Sequence, residues 1–166
     1  ELGGAVIKKV TYEAFGPGGV AFVIQVLTDN KNRAVAEIKH ILNKYGGRLS
    51  EPNSVLWMFD KKGVIRFSKE FSGGLKEKVE LKAIELGAED IVEEDDVLVI
   101  YTQVDDLEKV KQGLEVAGVD VEYAEIELVP RSKVKTEDPQ IKSKIEKLSE
   151  ELDECEDVDD YFTNEE

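Results

Sequence analysis

Residues Tyr12–His40 read YEAFGPGGVAFVIQVLTDNKNRAVAEIKH, and the fold turns on the segment downstream of their glycines. Gly16, Gly18 and Ala21 fit the letters G-x-G-x-x-G/A of a dinucleotide fingerprint. That fingerprint needs a strand entering the glycine turn and a helix leaving it, because the helix N-terminus holds the pyrophosphate. Here the turn is succeeded by VAFVIQVL, which reads as a second strand. The expectation is a tight strand-to-strand connection at Gly16, Pro17, Gly18 and Gly19. Pro17 fixes one backbone angle there, and the glycines permit positive φ. No G-x-x-x-x-G-K-[ST] motif occurs either, so no nucleotide cofactor is expected.

Working outward, Val6–Phe15 and Val20–Leu27 read as strands, the second so apolar that burial on both faces is expected. Asp29 or Asn30 offers a helix N-cap. Val35, Ile38, Leu42 and Tyr45 then recur at helical spacing, and Gly46 ends the helix. Val55–Phe59 reads as a third strand, with Trp57 and Met58 packed in the core. After DKKG a new pattern begins: strand Val64–Phe67, a helix with Leu75, Val79, Ala83 and Leu86 on one side, strands at Ile91–Val92 and Val97–Tyr101 joined by EEDD, a helix with Leu107, Val110, Leu114 and Ala117, and strand Val119–Leu128. That order, β-α-β-β-α-β, is the ferredoxin-like split βαβ unit, a four-stranded antiparallel sheet with both helices on one face. Apolar parity changes near Tyr123–Ala124, which suggests a β-bulge or a strand passing between two cores. Asp138-Pro139 supplies an N-cap and a proline at the first helical position, ahead of Ile141, Ile145, Leu148 and Leu152. DVDDYF reads as a short last strand. That helix and strand need a partner surface, and residues 1–61 leave one incomplete. The fold class expected is α+β: a discontinuous α/β domain, 1–61 with 130–166, carrying an inserted ferredoxin-like domain at 62–129.

The bulk composition narrows function. The chain has 166 residues, 41% of them hydrophobic, so it can bury a core. No apolar run approaches the roughly 18 residues of a membrane span, and no signal-peptide pattern is present. A single cysteine, Cys155, excludes an internal disulfide and a multi-cysteine metal site; a single histidine, His40, excludes histidine-pair zinc motifs. No metal or membrane partner is expected, and the compartment read from this is a reduced cytoplasm. Net charge is −15, which argues against phosphate binding by the whole chain. Residues 1–61, however, carry eight Lys and Arg against six Asp and Glu, net +2, while 62–129 carry −10 and 130–166 carry −7. An anionic partner therefore belongs on the first block, and the acidic blocks read as solvated surface.

The helix after Asn30 carries that block's chemistry. Arg33, His40 and Lys44 project away from the apolar stripe, Lys39 lies beside them, and Arg48 comes just after the helix. The stripe suits a phosphate backbone, or else is an ordinary solvated face. Arg33–Glu37 reads as a helix-face ion pair. Glu37 and His40 resemble an acid–base pair, but no serine, cysteine or second carboxylate can be placed with them. Cys155 lies among acids that disfavour its thiolate. The ferredoxin-like unit lacks the aromatic run of an RNA recognition motif on its central strands, VIRF and VLVIY, and reads as a protein-contact or spacer module.

YEAFGPGGVA, TDNKNRAVAEIKH, KYGGRL, KKGVI and GAEDIV, taken in order, resemble the YebC family, which includes the mitochondrial translational activators of cytochrome c oxidase subunit I. The resemblance runs along essentially the whole chain. It implies a three-domain protein whose N-terminal basic helical bundle would precede Glu1, so that this chain is expected to be a fragment and −15 to overstate the acidity of the whole. It implies a non-enzymatic regulator of gene expression acting in translation through the ribosome or RNA, including relief of stalling at proline-rich stretches. The alternative is a DNA-binding transcriptional regulator; an enzyme using Glu37 and His40 is the remote one. The nucleic-acid-binding residues expected are Lys31, Arg33, Lys39, His40, Lys44 and Arg48. Family members typically carry arginine at positions 31 and 39; lysine keeps the charge but loses the two-pronged donor.

Overall fold

A computed structural model describes residues 6–68 and 74–166. The chain is α+β, with four α-helices and two four-stranded sheets among the described residues. Its strands are β1 (Lys8–Phe15), β2 (Ala21–Thr28), β3 (Arg48–Leu49), β4 (Phe59–Phe67), β5 (Asp90–Glu94), β6 (Val97–Thr102), β7 (Tyr123–Pro130) and β8 (Val158–Thr163). Its helices are α1 (Lys31–Lys44), α2 (Leu75–Leu86), α3 (Leu107–Val116) and α4 (Pro139–Glu154). Two compact units result: Glu1–Asp60 with Pro130–Glu166, and Lys61–Val129.

In the first unit the sheet order is β3-β1-β2-β8. β1 and β2 pair antiparallel from Lys8↔Thr28 to Phe15↔Ala21, so the glycine cluster is a turn between neighbouring strands. Gly16 N–H donates to Val20 O at 2.7 Å, and Pro17–Gly19 form one 3₁₀ turn. Gly18 is needed twice over. Its φ is +72°, and a Cβ there would lie 2.8 Å from Cγ2 of Ile141, at the start of α4. The turn is thus shaped to receive the last helix. Asn30 caps α1 by accepting from Arg33 N–H at 3.1 Å, and Asp138 caps α4 by accepting from Gln140 N–H at 2.9 Å, with Pro139 in the first turn. One core holds Phe22, Ile24 and Val26 of β2 with Ile38, Ile41 and Leu42 of α1 and Ile145, Leu148 and Leu152 of α4. Each such fully buried side chain is worth about 1.5–3 kcal/mol. Ala21 and Val23, of the opposite parity, are equally buried, which is why β2 is so apolar.

In the second unit the order is β5-β6-β4-β7, with β4 and β6 central: the ferredoxin-like arrangement. Ile65, Phe67, Leu98 and Ile100 pack with Val79 and Ala83 of α2 and Val110 and Leu114 of α3. Asp95 and Asp96 take φ of +46° and +65° in the β5–β6 hairpin.

Three expectations are corrected. The expected strand Val55–Phe59 is not formed as such: Leu56–Met58 is a 3₁₀ turn, and a strand begins only at Phe59 and runs unbroken to Phe67 through DKKG. Gly63 does not break it; it lets Thr102 and Leu107 approach, since a Cβ would lie 2.2 Å from Thr102 Oγ1 and 2.8 Å from Leu107 Cβ. Trp57 is 60% exposed, not core. The parity change near Tyr123 is no bulge: β7 begins at Tyr123, and Val119 and Val121 cover the second core from the connection before it.

The Gly63 contact gives a direct check. Gly63→Ala is expected to destabilise the protein by about 1–3 kcal/mol through overpacking, read as a lower denaturant midpoint. An unchanged midpoint would mean that β6 and α3 yield freely at this point.

Candidate nucleic-acid interface

The six candidate residues all lie on α1 and β3, but the structure separates them by what holds them. Arg33 is a clamp. Its Nε and Nη2 donate to the two oxygens of buried Asp157 at 3.1 and 3.0 Å, and Nη2 also reaches Asp29 Oδ1 at 3.0 Å. Asp157 lies just before β8, and its carbonyl accepts from Leu27 N–H at 2.9 Å. The hydrogen bond and charge of Asp157, with Asp29 behind them, hold the Arg33 guanidinium above arginine's ordinary pKa. Lys44 Nζ lies 3.1 Å from Glu151 Oε2 of α4, and Tyr45 Oη donates to the same carboxylate. Those contacts raise Lys44 and lower Glu151 relative to their usual values. Two of the six candidates, Arg33 and Lys44, therefore join elements within the unit.

Lys31, Lys39, His40 and Arg48 are exposed. Arg48 stacks over the Phe15 ring, 5.0 Å from its centroid, a cation–π contact that fixes its direction. The buried side of α1 is Ala34, Ile38, Ile41 and Leu42, so Val35 sits at the margin of the stripe. His40 borders a shallow groove between α1 and α4 with Glu37, Ile41, Glu151, Glu154 and Cys155. The Glu37 expectation of an ion pair with Arg33 is corrected: Arg33 turns to Asp157 and Asp29, and Glu37 Oε2 accepts from Cys155 Sγ at 3.4 Å. Burial, then Glu37, pushes the Cys155 thiol up, away from the thiolate a nucleophile needs.

Sequence reasoning missed the carboxylate that builds the neighbouring loop. Glu13 lies opposite Val23 and so on the sheet face away from the α1–α4 core. It accepts from three backbone N–H groups: Asn53 at 2.7 Å, Val55 at 2.9 Å and Leu56 at 2.7 Å. Burial alone would raise its pKa, but the three bonds together outweigh that and hold it below its ordinary value. Ser50 N–H adds a bond to Glu13 O at 2.9 Å. The available signal was a lone acid inside an apolar strand, YEAF.

In the second unit Arg66 on β4 is neutralised by Glu127 of β7, with Nη2 2.9 Å from Oε1, and stacks 5.1 Å from the Tyr123 ring centroid. Burial, then Glu127, pushes Tyr123 up to about 12. The sheet thus uses its central-strand arginine internally. Among the described residues no group of His, Cys, Asp and Glu is arranged to hold a metal ion, and no helix is long and apolar enough to cross a membrane.

This two-unit fold, with its first sheet completed from beyond the insertion, recurs in known proteins. The family model described as the TACO1/YebC second and third domain matches residues 7–165. A probable transcriptional regulatory protein of Moorella thermoacetica is 46% identical over 165 residues, covering 99% of this chain and 65% of that protein. One of Desulfosudis oleivorans is 44% identical, again over 99% of this chain and 65% of its own length. The crystal structure of the conserved hypothetical protein Aq1575 from Aquifex aeolicus superposes with a TM-score of 0.89 at 40% identity, covering all of this chain and 68% of that one. The chain belongs to the TACO1/YebC family. It spans about 65% of the length of these curated relatives.

The Glu13 clamp is testable by pH. Glu13→Gln is expected to cost about 2 kcal/mol, the scale of losing charge-assisted bonds to a buried acceptor. The folded pKa is depressed, so the carboxylate's stabilisation is present above about 4.5 and is lost as pH falls below it. The variant's stability should therefore decline less steeply than wild type on acidification. Parallel stability–pH curves would contradict the clamp.

Proposed function

We propose that this chain is the nucleic-acid-facing part of a non-enzymatic regulator of gene expression that acts in the cytoplasm, in translation, through the ribosome or RNA, and relieves stalling at proline-rich stretches. The observation that carries the nucleic-acid reading is the placement of Lys31, Lys39, His40 and Arg48, exposed on the one segment with net positive charge. Few contacts of this kind give modest affinity and a shallow salt dependence, so the 166-residue chain alone binds weakly.

Duplex DNA is the second reading, and the names of the relatives favour it. Against sequence-specific DNA reading stands Arg33. The bidentate fork that reads guanine in the major groove is here taken up by Asp157 and Asp29. The α1 surface is better suited to phosphate contact than to base reading. Catalysis by Glu37 and His40 has little support, since Glu37 is engaged by the Cys155 thiol and His40 stands at the edge of an open groove.

The test compares binding of the full-length protein to ribosomes and to duplex DNA at matched salt. Tighter ribosome binding is expected. The variant K31A/K39A/R48A should flatten the salt slope on single-stranded RNA by about 2, at about 0.7 per contact. Preferential duplex binding, or an unchanged slope, would contradict the reading.

A further inference from the structure

Trp57 is the chain's one tryptophan, and it is 60% exposed. Its ring is nevertheless held in place. The indole Nε1 donates to Ser54 O at 2.9 Å, and the residues before it are pinned by Glu13 through Asn53, Val55 and Leu56. Asn53 adopts φ +66° within that loop. A buried carboxylate and a left-handed residue thus hold an aromatic ring out into water, where the hydrophobic effect gives it no reason to be.

The surroundings narrow the partner. Glu51, Pro52 and Asn53 are exposed and polar or small, Val55 is buried and Leu56 half-buried. Trp57 is therefore not the centre of the apolar patch that a protein interface core would need. Cations border the loop instead. Arg48, two residues before Ser50, stacks on Phe15 at the same end of β1. Arg131 N–H donates to Met58 O at 2.8 Å, and its guanidinium is fixed by Asp60 at 3.1 Å from Nε. An exposed indole held on a loop that follows Arg48 in the chain fits an unpaired nucleobase and its adjoining phosphate.

We propose that the Ser50–Met58 loop is a stacking site for an unpaired base of single-stranded RNA, with Trp57 as the platform and Arg48 as a phosphate contact. This rests on the nucleic-acid reading above. Stacking would not depend on base identity, because every base has a π-face. Duplex nucleic acid, whose bases are already stacked, would not engage Trp57.

A short single-stranded oligoadenylate, and the same strand in duplex with oligouridylate, are titrated into the 166-residue chain while tryptophan emission is followed. Because Trp57 is the sole tryptophan, the signal reports this ring alone. Quenching by the single strand and not by the duplex is expected. Trp57→Ala should weaken single-strand binding about ten-fold, and Trp57→Phe should restore most of it, tying the loss to the ring and not to the loop. K31A/K39A should weaken binding yet leave the quench at saturation. RNA binding with no quench and with undiminished affinity in Trp57→Ala would overturn the stacking site while leaving the proposed function standing. Equal quenching by the duplex, or no recovery in Trp57→Phe, would overturn it too. No binding of either RNA at any salt would remove both.

Discussion

The double pairing of β2 is the constraint on which the first unit depends. On one side it bonds to β1, its immediate predecessor in the chain, and on the other to β8, from the far end of the chain, with Phe22↔Thr163 and Ile24↔Tyr161 in register. Over Ala21–Ile24 the strand is buried on both faces and hydrogen-bonded on both edges, which keeps its backbone groups from water and makes its partners obligatory. The buried Asn164 side chain completes this by accepting from Ala21 N–H at 2.8 Å. The segment before the insertion is therefore a fold only when residues beyond the insertion return to it. Gly18 against Ile141 and Arg33 against Asp157 enforce the same return from the turn and from the helix.

The same constraint shapes the candidate site. Arginine and lysine on α1 divide between internal and external duty according to what the β8 approach and α4 place opposite them. Arg33 and Lys44 meet Asp157 and Glu151; Lys31 and Lys39 remain outward. Exposed ion pairs contribute little to stability by themselves, but Asp157 is buried, and a carboxylate there requires its partner. On the opposite sheet face, Glu13 does the corresponding work for the loop that carries Trp57. Two buried acids thus position the surfaces on either side of an otherwise apolar sheet.

Features with local causes were legible in the sequence. The strand–turn–strand at Gly16–Gly19 comes from apolar residues on both sides, the α1 cap, narrowed to Asp29 or Asn30, and the Asp138-Pro139 cap from their own side chains, and the ferredoxin-like order from periodicity. Features set by distant partners were not. Val55–Phe59 has strand composition, yet Glu13, far earlier in the chain, holds that segment in a tight loop. Gly63 looks like punctuation because its reason, the approach of Thr102 and Leu107, lies across the sheet. A helical wheel placed Arg33 and Lys44 on the polar face correctly, but could not reveal that acids from α4 and the turn before β8 already occupy them.

Hydrogen exchange of the full-length protein, free and bound to ribosomes, tests most directly whether nucleic acid meets this protein on the α1–β3 surface of the first unit. Slowed exchange is expected in peptides covering Lys31–Arg48 and the loop after them, with Lys61–Val129 unchanged. Protection confined to Lys61–Val129, with the α1–β3 peptides exchanging as in the free protein, would contradict that placement.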